Sequence, residues 1–291
     1  MKPQTAKLRL AAAMTVFGTI GLFVRYIPLP SSIIAFVRGG VGMLFLLLVS
    51  LAKKNPPDGK AIRANLTRLL PCGIMMGFNW ILLFESYRYT TVAVATLFYY
   101  LAPVIILLLS PIVLKENMTA LKAGCIAAAL LGMLFVSGIL QSSDLSSFNF
   151  RGIALGFAAA VLYAFVVLLN KQLKGISSED ATMTELGTAA AVMIPYNLLT
   201  VDLSALSCDT RGLVLLAFVA IVHTGICYAI YFSCITALPA QTGALFSYID
   251  PVVAILLSAL VLHEPMDTLC IIGAVLILGS TLVGELFEKK K

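Results

Sequence analysis

Residues 96–116 read TLFYYLAPVIILLLSPIVLKE, and residues 244–264 read ALFSYIDPVVAILLSALVLHE. A shift of 148 residues lays Leu97-Phe98 on Leu245-Phe246, Tyr100 on Tyr248, Pro103 on Pro251, Ser110 on Ser258, Leu114 on Leu262 and Glu116 on Glu264. Gly77 and Phe84 meet Gly225 and Phe232 at the same shift. Leucine and valine coincide easily in text this apolar. Proline, tyrosine and glutamate at one offset are harder to obtain by chance. Each string, at about 1.5 Å per residue, is long enough to cross the roughly 30 Å hydrocarbon core of a bilayer. The chain therefore reads as a duplicated set of membrane spans.

Outward from these strings, ten spans are expected at 8–27, 31–52, 66–88, 91–114, 119–140, 150–170, 181–201, 211–236, 239–262 and 266–287. The runs are continuous and lack the period-two alternation of a barrel, so the fold class is an all-α polytopic membrane protein. Two halves, 1–145 and 146–291, hold five spans each. An odd number forces the second half to insert with the opposite topology, the inverted five-helix repeat of alternating-access carriers.

Composition agrees. Of 291 residues, 60% are apolar and 12% charged, against about 25% charged in soluble domains. Ten spans of about 20 residues leave roughly 90 for termini and connections. A soluble enzyme and a large extramembrane domain are both excluded. The first span has a basic start and an apolar run, but its length favours a retained helix over a cleaved signal.

The net charge of +6 is explained by basic residues kept at one face. With the N-terminus cytoplasmic, fifteen of the 20 Lys and Arg lie on that side; Arg25, Arg38, Arg88, Arg151 and Arg211 lie on the other. Both termini are then cytoplasmic. No basic run interleaves with aromatics, so nucleic acid is not an expected partner. Cys72, Cys125, Cys227, Cys234 and Cys270 fall in apolar stretches and Cys208 in a loop, without a CxxC pair; they read as small buried hydrophobes. The sequence holds no HExxH, glycine-flanked serine nucleophile or nucleotide loop, so no enzyme activity, cofactor or metal is expected.

The chain resembles the ten-helix EamA-type proteins of the drug/metabolite transporter superfamily. The resemblance rests on the basic start of the first span, Phe36-Val37-Arg38-Gly39, Ala102-Pro103, Leu114-Lys115-Glu116, Ile249-Asp250-Pro251 and Leu262-His263-Glu264-Pro265. Their order and duplication over the whole chain are more specific than any one string. The resemblance implies inner-membrane carriers of amino acids and other small metabolites, often presumed proton-coupled. It also implies a central cavity with the fifth and tenth spans at the periphery. Val16-Phe17-Gly18 departs from the pattern, since many relatives carry tryptophan before that glycine.

Asp250 is the sharpest candidate for substrate binding or coupling. It falls near the middle of its span, where a charge is costly, and its repeat mate is the uncharged Ala102. Burial without a countercharge favours the protonated form of a carboxylate, which opens proton carriage; a hydrogen-bonded Asp beside a proline kink is the structural alternative. Arg38 lies about eight residues into its span and either holds a substrate carboxylate or pins helices. Its mate, at an offset of 147, is Glu185, a gate partner or an interfacial charge.

Glu85 and Arg88 suit an i,i+3 ion pair. Glu116 and Glu264 suit capping of the helix that follows each, and Pro103 and Pro251 suit bending of the fourth and ninth spans. His223 is the one histidine inside a span, either titrating or hydrogen-bonded in the packed interior. Asn79, Trp80, Tyr99, Tyr100, Tyr163, Tyr228 and Tyr248 supply an amphipathic lining or helix-packing surface.

The expected function is secondary active transport of a small polar or amphipathic metabolite, an amino acid or organic amine among the candidates, with export by proton exchange. A channel-like permease or a non-transporting scaffold is the alternative. The expected partners are the small-molecule substrate, membrane lipid and protons; the oligomeric state is not set by the sequence.

Overall fold

The computed structural model describes residues 2–24, 26–90, 92–136, 140, 149–261 and 268–286. Among these the chain makes ten traverses. In order they are α1 (Pro3–Gly18) with α2 (Ile20–Val24), α3 (Ser31–Ala52), α4 (Gly59–Tyr89), α5 (Val92–Tyr99) with α6 (Ala102–Val113), and α7 (Ala120–Val136). The second five are α8 (Phe150–Asn170), α9 (Ser178–Thr200), α10 (Thr210–Phe218) with α11 (Cys227–Ala237), α12 (Ala240–Phe246) with α13 (Ile249–Val261), and α14 (Thr268–Leu286). Among the described residues there is no strand.

Polar residues just ahead of the apolar runs start the helices. Asp58 accepts from the amides of Lys60 and Ala61 at the start of α4. Asn149 caps α8, Asp209 caps α10, and Ser177 caps α9 with Glu179 and Asp180 in its first turn. Each satisfies amides that have no intrahelical partner. Because Asp58 begins α4, that helix starts seven residues earlier than the span expected from residue 66, and the connection after α3 is correspondingly shorter.

The main correction concerns continuity. Four spans expected as single helices are interrupted. The first breaks at Thr19 and the fourth at Tyr100-Leu101. The ninth breaks at Ser247-Tyr248, and the eighth passes through a π-helical segment, Val219–Ile226. Pro103 and Pro251 accordingly do not bend continuous helices. They lie in the first turns of α6 and α13, where a missing amide costs nothing.

Contacts between helix ends sort the bundle into two faces. On one, Lys53 pairs with Glu179 at 3.9 Å, Asn65 donates to the Lys174 carbonyl at 2.9 Å, and Arg9 interacts with Cys234 near the end of α11. This is the N-terminal face. On the other, Ser86 donates to the Gly152 carbonyl at 2.7 Å and Asn197 to the Ser32 carbonyl at 3.4 Å.

The outside of the bundle is apolar: Leu48, Ile112, Leu199, Val275 and Leu282 all present large side chains outward. Hydrocarbon accepts such a surface and water does not. Five stretches are long and apolar enough to cross a membrane, with shorter apolar helices between them. The protein is an integral membrane protein. α7 packs chiefly on α14, and both stand away from the centre.

Candidate functional site

A central cavity of about 180 Å³ lies where the interrupted helices meet. Its wall takes Met14 and Phe17 from α1, Ile20 from α2, Arg38 from α3, and Tyr99, Tyr100, Ala102 and Pro103 from around the α5–α6 break. Tyr163 comes from α8, Tyr228 and Tyr231 from α11, Ser247 from the α12–α13 break and Asp250 from α13. A helix break at this depth lets backbone and side chains converge on one space, which an unbroken helix cannot do.

An arginine and a carboxyl group face that space. Arg38 donates from Nε to Thr224 Oγ1 at 2.9 Å, hydrogen-bonds Tyr228 and lies 5.9 Å from the centre of the Trp80 ring. These contacts hold the guanidinium while leaving it at the cavity wall. Tyr100 hydrogen-bonds Asp250. Asp250 sits in the first turn of α13, where the helix dipole favours negative charge. No ion pair joins Arg38 and Asp250 among the described residues.

Tyrosines fill the interval between these two groups. The hydroxyls of Tyr163 and Tyr231 are 2.5 Å apart. Phe17 meets Tyr228 edge to face at 5.3 Å between centroids, and Tyr99 meets Tyr163 at 5.9 Å. Such a wall offers apolar ring surface together with hydroxyl donors and acceptors.

Asn79, Trp80 and Tyr248, expected as lining or packing surface, stand behind it, and so does His223. Asn79 donates to the Ala159 carbonyl at 2.7 Å and supports Tyr99. Trp80 backs Arg38 and hydrogen-bonds Tyr228. Tyr248 donates to the Tyr100 carbonyl at 3.2 Å. His223 is fully buried in the π-helical segment and bonds Thr19 Oγ1 at 2.8 Å, tying α11's approach to the break in the first traverse. Conversely Tyr231, Ser247, Met14, Phe17 and Ile20 line the cavity without having been singled out. Tyr231 is one turn from Tyr228, and Ser247 is the repeat mate of Tyr99; both signals were present.

Gly18 explains why α1 can close one side. A Cβ there would fall 2.6 Å from the Asp250 carbonyl oxygen and 2.6 Å from Val253 Cβ. Gly18→Ala is expected to push α1 off α13 and to destabilise the protein by about 1–3 kcal/mol, read as a lowered Tm in detergent. An unchanged Tm would mean that the helices separate without loss.

The remaining charges lie toward the faces. Glu85 pairs with Arg88 at 3.0 Å and accepts from the Tyr196 hydroxyl at 2.5 Å. All three border a cavity of about 570 Å³ at the face opposite the N-terminus. Glu116 does not cap the helix that follows it. Its two carboxylate oxygens accept from the Ala240 amide at 2.9 and 3.0 Å, at the start of α12 in the other repeat. Lys171 reaches Glu116 at 3.4 Å, the Ile235 carbonyl at 3.3 Å and the Leu238 carbonyl. This latch joins α6, α8, α11 and α12 at the N-terminal face. Glu185 is fully buried rather than interfacial, with Asn170 donating to it at 2.9 Å. Glu264 and His263 lie outside the described residues.

Interrupted helices from two repeats surround one amphipathic chamber walled by an arginine, a carboxyl group and tyrosines. The chain belongs to the EamA-like transporter family, which it matches twice, over residues 5–138 and 150–283. It is 31% identical to the uncharacterized transporter YxxF of Bacillus subtilis over 274 residues, 94% of this chain and 87% of that protein. It is 27% identical to protein PecM of Dickeya dadantii over 91% of this chain and 86% of that protein. A solved crystal structure of a protein 17% identical superposes with a TM-score of 0.85 over 98% of this chain and 99% of the other, a likeness in fold alone. The protein is a membrane transporter of this family.

Proposed function

We propose that the protein is a secondary active transporter that exports a small zwitterionic or cationic metabolite, of amino-acid or organic-amine class, in exchange for protons. The observation that carries this reading is the placement of Arg38 and Asp250 on one cavity of about 180 Å³ without an ion pair between them. An ammonium group suits Asp250 and a carboxylate suits the planar fork of Arg38; the tyrosine wall suits the apolar remainder. The volume is below the roughly 300–1,000 Å³ of sites for drug-sized ligands, which favours metabolites.

The excess of basic residues at the N-terminal face supports a cytoplasmic location for both termini in a cytoplasmic (inner) membrane. The family resemblance supports export, and the buried carboxyl of Asp250 supports proton exchange.

Counterflow in proteoliposomes holding the purified protein and a mixed pool of amino acids and amines tests the reading. Saturable uptake of one labelled compound, accelerated by the same compound on the other side, is the expected result. Linear flux without acceleration would indicate a channel-like permease, and no flux above empty liposomes would indicate a scaffold. In the active case Arg38→Lys is expected to raise the half-saturation concentration of a carboxylate-bearing substrate about tenfold, through loss of the bidentate fork. An unchanged value would remove Arg38 from the binding site.

A further inference from the structure

A second carboxyl group is buried in the bundle, and it stands outside the cavity. Glu185 is 0% exposed. Oε1 accepts from Asn170 Nδ2 at 2.9 Å, while Oε2 has no hydrogen-bond partner among the described residues. The elements around α9 supply no cation to it. From α4 its polar neighbour is the thiol of Cys72; Arg68, one turn earlier, is not among its electrostatic partners. From α3, Arg38 turns to Thr224 and Tyr228. α11 carries Cys227, Tyr228, Tyr231 and Cys234, none of which reaches it, and Lys171 beyond the end of α8 turns to Glu116. An ionised carboxylate held there by one amide and one thiol, both neutral, would be strongly disfavoured.

Two further features connect this group to the N-terminal face. Asn170, its donor, is the last residue of α8, and the next residue is Lys171 of the latch. Glu185 also occupies the place in its repeat that Arg38 holds in the first, each seven residues after the first residue of its helix (38 − 31 and 185 − 178). Arg38 lines the cavity in this conformation. An exchange of conformations between inverted repeats would carry Glu185 to the wall of a cavity open at the N-terminal face, where water accepts its proton.

We propose that Glu185 is a proton-binding site that controls closure of the N-terminal face: the latch closes only over the protonated carboxyl. This rests on the alternating-access reading above, but its test needs no substrate. The closed form holds one more proton than the open form, so opening is favoured as pH rises, by up to about tenfold per pH unit above the group's titration.

Hydrogen exchange of the backbone segment around Leu238–Ala240 in the reconstituted full chain measures it, with rates corrected for the intrinsic pH effect. Between about pH 6 and about pH 9, protection of this segment in the wild type is expected to fall by about tenfold or more. Glu185→Gln keeps the amide contact and cannot ionise, so it is expected to stay protected throughout. Lys171→Met is expected to lose protection at every pH. Protection in the wild type that does not change with pH overturns the proposal, whatever the variants do. So does a Glu185→Gln variant that keeps the wild-type pH response. A pH-linked opening in a protein that shows no counterflow would instead leave Glu185 as the switch and sink the transport reading.

Discussion

Asp250→Asn is expected to fold and to weaken binding of a cationic or zwitterionic substrate by about ten- to hundredfold, the value of a charge-assisted hydrogen bond removed from a buried site. The substitution keeps size and an acceptor for the Tyr100 hydroxyl while removing the charge. Asp250 is supported on three sides: Tyr100 hydrogen-bonds it, the start of α13 favours its charge, and Gly18 lets α1 press against its backbone. The scaffold therefore has no need of the carboxylate itself, and Ala102 shows that the equivalent position of the first repeat does without one. Half-saturation measured by exchange at equal pH on both sides is the readout. A normal value combined with loss of uphill transport would make Asp250 a proton carrier. A normal value with normal uphill transport would remove it from both roles, and loss of folded protein would make it a structural residue at a helix break.

Glu116→Ala is expected to open the N-terminal face. The carboxylate satisfies the first amide of α12 and holds Lys171, and both side chains are well shielded, at 12% and 18% exposure. Removing it leaves a shielded ammonium with carbonyl partners only and an uncapped helix start. The two losses together are worth about 1–3 kcal/mol, which shifts a two-state equilibrium by roughly ten- to hundredfold. Impermeant maleimide labelling of a cysteine placed at Asn117 reads the opening directly. Lys171→Met is expected to give a similar shift, and the double variant less than the sum, because both act on one contact. Full additivity would mean that the two residues do not form a latch.

Much of the architecture was legible in the residues because hydrophobic runs and repeated prolines report on span number and duplication. Helix ends were less legible: the expected bounds followed the apolar runs, so the cap at Asp58 went unread and α4 begins at Gly59 rather than at residue 66. The breaks at Thr19, Tyr100-Leu101 and Ser247-Tyr248 were not legible. An interrupted span has the same apolar composition as a continuous one, and what separates them is contacts with distant helices, such as Thr19 to His223. The cavity followed the same rule. Arg38, Asp250 and four tyrosines stood out as polar or amphipathic groups in apolar text, whereas Met14, Phe17 and Ile20 are indistinguishable in sequence from lipid-facing residues. Asn79, Trp80 and Tyr248 carry the same chemistry as lining groups, and only packing places them one layer back. The partner of Glu116 lies 124 residues away, beyond any local pattern.

The lining of the chamber sets a dehydration cost for whatever fills it. A chamber of about 180 Å³ walled by an arginine, a carboxyl group and tyrosines is polar and roomy enough for several waters. On the proposed transport reading, a solute that fills it must replace the contacts water would make with Arg38, Asp250 and the tyrosine hydroxyls. A hydrocarbon of equal bulk would strip those groups and return nothing to them, which is a far stronger basis for rejection than a misfit of one methylene. On that same reading, discrimination rests on dehydration: the solute that passes is the one that gives those groups partners in place of water.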